Sequence, residues 1–516
     1  MTDKPGKYSP ALFALLLLLY AAPVMASSQD TVSQDTVKRA WTSELPELFV
    51  TATRTVSKSE EIPVRVSSIK ATEIETMPVF CSDGLLEMVP GANIDRSNGI
   101  FSKNASITMR GLNGTPRTLV LMDGVPLNKA DGGGINWNRV IPDFLDRVEV
   151  SKGPTSSVYG SNAMGGVINL ITSRPSAKLE GLLKTFAGSY GTFGGLMSIG
   201  GKTGKGEQGL YYQLNGFYRQ GDGYIMVPQP TRDSMDTRMS LRELLLSGKI
   251  GCRYDGGSYT EIEYTHYEDK RGDGFRVYEP GGGYNEYPTE AVRVTSSNDF
   301  GRLSVMVSAF YQDEFYHRLA ESLAAKKGNK YSMYKTDSRR IDMGFWTNAT
   351  WRGKHGMNYT LGIDIRSGSV DGSDTYYTST DVLTNKGMMN FYALFGEYEW
   401  HTLKDRMILL AGLRFDMARF CDGSFVISEP TSLTSFMADY PTVFSNQDWH
   451  AVSPKIGLKY MFSTGFHAYA MYSRGFRPPM LDDMCKNGNV TKGFKLANPQ
   501  LKPETIDNYE LGCDWR

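Results

Sequence analysis

From Leu179 onward apolar and polar residues alternate with a period of two, the mark of strands that carry one apolar and one polar face. Between 245 and 254 the even positions are Leu246, Gly248, Ile250, Cys252 and Tyr254, whereas the odd ones include Ser247, Lys249 and Arg253. Tyr359, Leu361, Ile363 and Ile365 alternate with Thr360, Asp364 and Arg366. Ile456, Leu458, Tyr460 and Phe462 do the same with Lys455, Gly457 and Lys459. The pattern predicts about fourteen such segments, each near the ~10 residues of a tilted membrane strand. Short turns such as Asp255-Gly256-Gly257 and Gly353-Lys354-His355-Gly356 alternate with long polar stretches near 220–240, 269–288, 316–337, 369–387, 421–448 and 475–503. Such alternation sorts turns to one end and loops to the other, as in an outer-membrane barrel. A soluble sandwich or propeller, the alternative, would turn its apolar faces inward. Hydrocarbon offers backbone groups no water, so an apolar-faced wall must pair every strand and close.

The stretch before this reads differently. From Thr51 to Ser176 short strands, brief helices and glycine turns mix into a compact α+β domain. Ser82-Asp83 is placed to cap a helix through Leu85-Leu86-Glu87-Met88-Val89, and Pro90-Gly91 to end it. Leu119 to Met122 is a buried apolar run closed by Asp123-Gly124, and Pro142 opens a one-turn helix ahead of Val148-Glu149-Val150. A folded domain before a wall with a polar lining is expected to stop the lumen.

Composition supports this picture and narrows the function. Lys+Arg and Asp+Glu number 56 each, so the formal net charge is zero and nucleic acid is not an expected partner. Glycine (54), Tyr (29) and Phe (24) suit an all-β protein with many turns and aromatic girdles. Lys4 and Lys7 precede an apolar run from Ala11 to Ala22 and then Pro23-Val24-Met25-Ala26, which reads as a secretory signal over 1–26. The five cysteines read as free thiols, with a bridge between Cys421 and Cys485 as the alternative. There is no H-E-x-x-H, no G-x-S-x-G and no paired C-x-x-C, so no enzyme reading stands and no cofactor is expected.

Several segments carry a family likeness. Glu47 to Arg54 reads "ELFVTATR", Leu85 to Gly91 "LLEMVPG", Ile107 to Leu112 "ITMRGL", Leu119 to Pro126 "LVLMDGVP" and Asp146 to Thr172 "DRVEVSKGPTSSVYGSNAMGGVINLIT". Tyr472 to Pro479 reads "YSRGFRPP" and Asn498 to Glu504 "NPQLKPE". Together these make the chain resemble the TonB-dependent outer-membrane receptors of Gram-negative bacteria. The resemblance implies a plug domain inside an antiparallel transmembrane β-barrel, 22-stranded in the family. It divides the chain into a signal (1–26), an N-terminal extension (27–58), a plug (59–176) and a barrel (177–516). Leu48, Phe49, Val50, Thr51, Ala52, Thr53 and Arg54 would be the TonB box, a β-prone segment able to add to a partner's sheet edge. Arg110, Arg147 and Glu149 would be plug charges meeting charges on the barrel wall.

The implied activity is energised import of a scarce nutrient by a monomer in outer-membrane lipid, driven by TonB. A ferric siderophore is the first ligand reading and cobalamin the alternative. A passive porin or structural barrel, the reading from another class, would lack both plug and box. Haem receptors of the family place a histidine between the two late barrel motifs, and none occurs from Phe476 to Leu501. Aromatic and cationic groups suit an anionic, flat-faced ligand, which makes Arg96, Asn98, Phe101 and Trp137 of the plug and Arg271, Arg276, Tyr278, Tyr284, Tyr287, Tyr376 and Tyr377 of the loops candidate contacts. Asp222, Asp233 and Asp236 are a candidate calcium set. The family's barrels continue through several more strands, so the resemblance leads us to expect a C-terminally incomplete sequence.

Overall fold

The computed structural model describes residues 65–515, with breaks at 205–207, 325–329, 433, 435–441, 464 and 491–492, together with 48–49, 54 and 57–58. The expected signal segment and the middle of the expected TonB box, 50–53, lie outside these described residues. Residues 46–516 form one unit.

The apolar runs of the first domain become seven strands: β1 (Val66–Lys70), β2 (Ala92–Asp95), β3 (Ser106–Met109), β4 (Thr118–Met122), β5 (Val125–Pro126), β6 (Leu145–Lys152) and β7 (Gly166–Thr172). Five of them make a mixed sheet in the order β1-β6-β7-β4-β5, with β4 and β7 parallel, while β2 and β3 pair separately. Leu85, Leu86, Ile107, Val120, Trp137, Val148 and Ile168 pack into its core. Asp123 and Gly124 both take positive φ (50° and 81°), which closes the tight turn between β4 and β5 as the sequence predicts. The helix at Ser82–Met88 is there, but wound as 3-10 and without a side-chain cap. The Ser82 hydroxyl donates to the Val140 carbonyl (2.6 Å) and Asp83 pairs with Arg96 (2.6 Å), so both expected cap residues serve tertiary contacts instead.

The period-two region forms one antiparallel sheet of fifteen strands, from β8 (Glu180–Gly188) to β22 (Glu504–Trp515), against the expected fourteen or so; the extra strand is the three-residue β13 (Tyr284–Glu286). Strands used below are β15 (Leu303–Ala324), β16 (Lys330–Arg352), β17 (Met357–Tyr376), β18 (Val382–Thr402), β19 (Met407–Ser428), β20 (Gln447–Ser463) and β21 (Phe466–Arg477). Among the described residues, the terminal strands β8 and β22 of this sheet do not pair with each other.

The two faces are inverted relative to a water-soluble sheet. Leu361 (66%), Ile363 (48%) and Ile456 (62%) are exposed, whereas Asp364 (5%), Arg366 (8%), Lys455 (0%) and Lys459 (3%) are buried. Water would favour the opposite arrangement; a hydrocarbon surround favours this one. No helix among the described residues is long and apolar enough to cross a membrane.

The polar stretches need correction. β15 and β16 run 22 and 23 residues, straight through the expected 316–337 loop, and β17 and β18 take up most of 369–387. A polar ribbon satisfies its backbone by pairing just as an apolar one does, but with no apolar face it leaves no hydropathy signature.

Candidate functional site: the plug seat and the chamber above it

The plug is held by ion pairs that the alternating sequence places on the inner wall. Asp123, at the β4–β5 turn, accepts from the Thr172 amide (3.0 Å) and hydroxyl (2.8 Å) and lies 3.5 Å from Arg293 and 4.0 Å from both Lys249 and Arg174. Burial works to raise its pKa, but the three cations overcome that and hold Asp123 below the ordinary carboxylate range. Lys129 pairs with Glu314 of β15, Arg340 of β16 reaches Asp131 (2.8 Å), and Arg366 of β17 donates to the Asn128 carbonyl. Arg139 donates to Gln312 (2.9 Å), and Asn138 to Glu243 (3.2 Å), which also binds Arg219 (2.5 Å) and Arg271 (2.8 Å). Buried charges of this kind stabilise only while paired, so the plug is seated in one register.

Arg54, the last residue of the expected TonB box, is buried. It makes a bidentate pair with Asp364 of β17 (2.6 and 2.9 Å), and its guanidinium lies over Tyr159, Trp346 (both 4.5 Å) and Phe395 (5.1 Å). Asp364 also binds Arg414 (2.6 Å), which donates to the Val158 carbonyl (2.9 Å) and pairs with Asp416 (2.9 Å). The approach is close enough to dictate a residue. Gly160 sits at φ +73°, and an added Cβ would lie 2.6 Å from Arg414 Nη2. Leu48–Phe49 pairs antiparallel with Ser57–Lys58, a two-stranded sheet of its own rather than a strand of the plug sheet.

The other expected residues divide. Arg110 reaches the wall at Glu510 (2.7 Å). Arg147 instead pairs with Glu149 (2.9 Å) and Asp146 (2.7 Å) within the plug, because β6 keeps both side chains two residues apart on one face. Of the candidate ligand contacts, Trp137 is fully buried in the plug core and Phe101 packs on Met239 and Tyr224. Arg96 is tied to Asp83 and Asn138, and Arg271 to Glu243, Asp269 and the Ile100 carbonyl. These four hold structure together. Tyr287 stacks on Tyr316 (4.9 Å) and Tyr376 on Tyr334 (5.2 Å). Lys270 covers Tyr284 (3.7 Å), and Tyr278 meets Tyr331 edge-on (4.7 Å). Asn98 is part-exposed, whereas Arg276, Tyr278 (70%) and Tyr377 (60%) are exposed.

Asp233 and Asp236 accept from backbone amides of their own turn, and Asp222 lies at the Tyr190–Gly191 turn. No group of three or more His, Cys, Asp or Glu residues is placed to hold a metal among the described residues. Cys421 and Cys485 are both free thiols: Cys485 is buried inside the wall, while Cys421 follows the inward Phe420 and faces out beside Asn390.

The sequence reading missed a cluster of cations resting on aromatic rings: Lys103 over Tyr287 (3.2 Å), Arg340 over Tyr316 (4.9 Å) and Arg318 over Tyr334 (5.9 Å). Glu314, Tyr316 and Arg318 follow a period of two in β15, the last two inside the stretch expected to be a loop at 316–337.

Two family descriptions fit this architecture. The model for the "TonB-dependent Receptor Plug Domain" matches residues 58–167, and that for "TonB dependent receptor-like, beta-barrel" matches 249–516. The chain belongs to the TonB-dependent receptor family. It thus falls in a receptor family, not an enzyme class. The vitamin B12 transporter BtuB of Vibrio vulnificus (strain CMCP6) is 33% identical over 180 residues, covering 35% of this chain and 27% of that protein. The ferrioxamine receptor of Yersinia enterocolitica is 24% identical over 573 residues, covering 97% of this chain and 72% of that one. Among solved structures, the ferric yersiniabactin uptake receptor FyuA from Yersinia pestis superposes with a TM-score of 0.66 at 17% identity, over 88% of this chain and 70% of that chain. At that identity the likeness speaks for the plug-in-barrel fold.

Proposed function

We propose that this TonB-dependent receptor binds a scarce nutrient above the plug and imports it across the outer membrane with work delivered by TonB. The outer membrane has no nucleotide supply, so uphill import needs a physical link to an energised partner. The observation that carries the reading is the Arg54 latch. It joins the Leu48–Arg54 segment directly to plug residue Tyr159 and to wall residues Asp364, Trp346 and Phe395, so tension on that segment acts where plug meets wall. A ferric siderophore is the cargo we favour. Cations resting on tyrosine rings at the plug apex suit an anionic, flat-faced ligand. Cobalamin is the second reading, favoured by the 33% identity to part of a vitamin B12 transporter.

Deleting Leu48 to Arg54 tests the reading. The deletion should leave cargo binding at the cell surface intact and abolish accumulation, whereas a passive pore would keep its transport. Growth of a knockout on defined iron and cobalamin sources separates the two cargoes.

A further inference from the structure

The segment that leaves β21 after Arg477 does not stay outside. It turns into the lumen as a short helix, Leu481–Cys485, whose Leu481, Met484 and Cys485 are fully buried against Val370, Leu383, Met389 and Phe420 of the inner wall. The fit is tight: a Cβ added to Gly387 would lie 2.9 Å from Cys485 Sγ and 3.3 Å from Leu481. The opposite side of the helix touches the plug, where the Asp482 amide donates to the Asp131 carbonyl (2.9 Å). Its returning limb is fastened through Lys495–Asp483 (2.8 Å) and the Asn498 amide to the Asp483 carbonyl (2.9 Å).

An apolar seat favours this closed position, and electrostatics oppose it. Asp482 of the helix and Asp131 of the plug apex are like charges brought together out of water. Burial first, and then Asp131, push the Asp482 carboxyl above its usual range. The guanidinium of Arg340, paired with Asp131 at 2.8 Å, acts on both acids, and Glu314 (3.2 Å) competes for it. Lys486 and Lys495 also act on Asp482 and Lys129 on Asp131, but Arg340 is the cation that acts on both acids, so it joins strap to plug.

We propose that Pro478–Asn487 is an external strap that clamps the plug apex and lifts when the Arg340 guanidinium is drawn away from Asp131 and Asp482. An anionic group reaching Arg340 would draw it. Lifting uncovers the plug apex and transfers the event at Arg340 to the plug through Asp131. This device rests on plug, wall and strap contacts alone and stands whether or not the import reading holds.

Native cysteines make it testable without a cargo. In the full-length protein in outer membranes, alkylation of Cys485 by a small maleimide, read by peptide mass spectrometry, reports strap lifting. Cys81, buried in the plug, reports plug unfolding. Lifting without unfolding makes Cys485 react about tenfold or more faster than Cys81. Arg340→Gln should raise the Cys485 rate a further tenfold or so and leave Cys81 unchanged. Asp482→Asn, which removes the repulsion, should slow Cys485 about threefold or more below wild type, a change that misfolding cannot produce. Equal rates for the two thiols in wild type, a joint rise of both in Arg340→Gln, or an unchanged Cys485 rate in Asp482→Asn would each overturn the proposal.

Discussion

Replacing Arg54 by Ala should release the segment around it from the receptor, and the size of the effect follows from the contacts. The side chain is 3% exposed and Asp364 7%, so the pair is desolvated, and removing one partner of such a pair typically costs about 3–5 kcal/mol. Asp364 keeps Arg414 at 2.6 Å, which places the cost at the lower end. Loss of the contacts to Tyr159 and Trp346 removes about 0.5–2 kcal/mol more. A net change near 4 kcal/mol shifts the latched-to-free ratio on the order of 1,000-fold. Hydrogen–deuterium exchange of the peptide spanning 47–58 measures this, the expected outcome being that its Leu48–Phe49 pairing to Ser57–Lys58 loses protection as Arg54 is released. Asp364→Asn should give a comparable loss, and the double variant little more than either single one, since both remove the same interaction. A change under about threefold in Arg54→Ala, or full additivity in the double variant, would refute the latch.

Other expectations follow from the same contacts. Gly160→Ala places a methyl 2.6 Å from Arg414 Nη2 at φ +73° and should destabilise the seated plug by about 1–3 kcal/mol, visible as a lower calorimetric plug transition. Asp123 has a folded-state pKa below its unfolded one, so its contribution is full above the unfolded value of ~3.9 and is lost as pH falls further. Plug melting should therefore be insensitive to Asp123 from pH 7 to about 5 and decline below about 4, and Asp123→Asn should flatten that decline in a pH series. Arg110→Ala should cost under about 1 kcal/mol in chemical denaturation, because its pair with Glu510 is part-exposed at 30% and 12%. Asp381 is buried at the junction of two external loops. Burial works to raise it, but hydrogen bonds from Ser379, Thr431 and Thr434 hold it at about 2; Asp381→Asn should raise amide exchange at Thr431, which donates to it at 2.9 Å.

The wall was legible because lipid and plug impose opposite demands on successive residues. Leu361 and Ile363 went outward, Asp364 and Arg366 inward; Leu245, an inward apolar residue, is the exception in the segments read and packs with Ile141 and Phe144 of the plug. The turn at Asp123-Gly124 was legible for a local reason, since few residue pairs accept two positive φ values. Two things were hidden. The heights of β15 and β16 were hidden because strand pairing above the membrane needs no apolar face. The role of Trp137 was hidden because the neighbouring Gly132-Gly133-Gly134 looks like an exposed apex, whereas Ile135, Trp137 and Val140 point back into the core. The partner of Arg54 lies 310 residues away, a pairing that only the closed architecture creates.

The length of β15 and β16 has a further consequence. At ~3.3 Å per residue, 22 residues measure roughly 70 Å, and even at a tilt near 40° the hairpin climbs about 50 Å, twice the height of the ~25 Å apolar band. Half of the hairpin thus stands clear of the lipid as a braced palisade. Along that half each strand is already paired to its neighbour, so its backbone has little ordering left to do at the moment of capture.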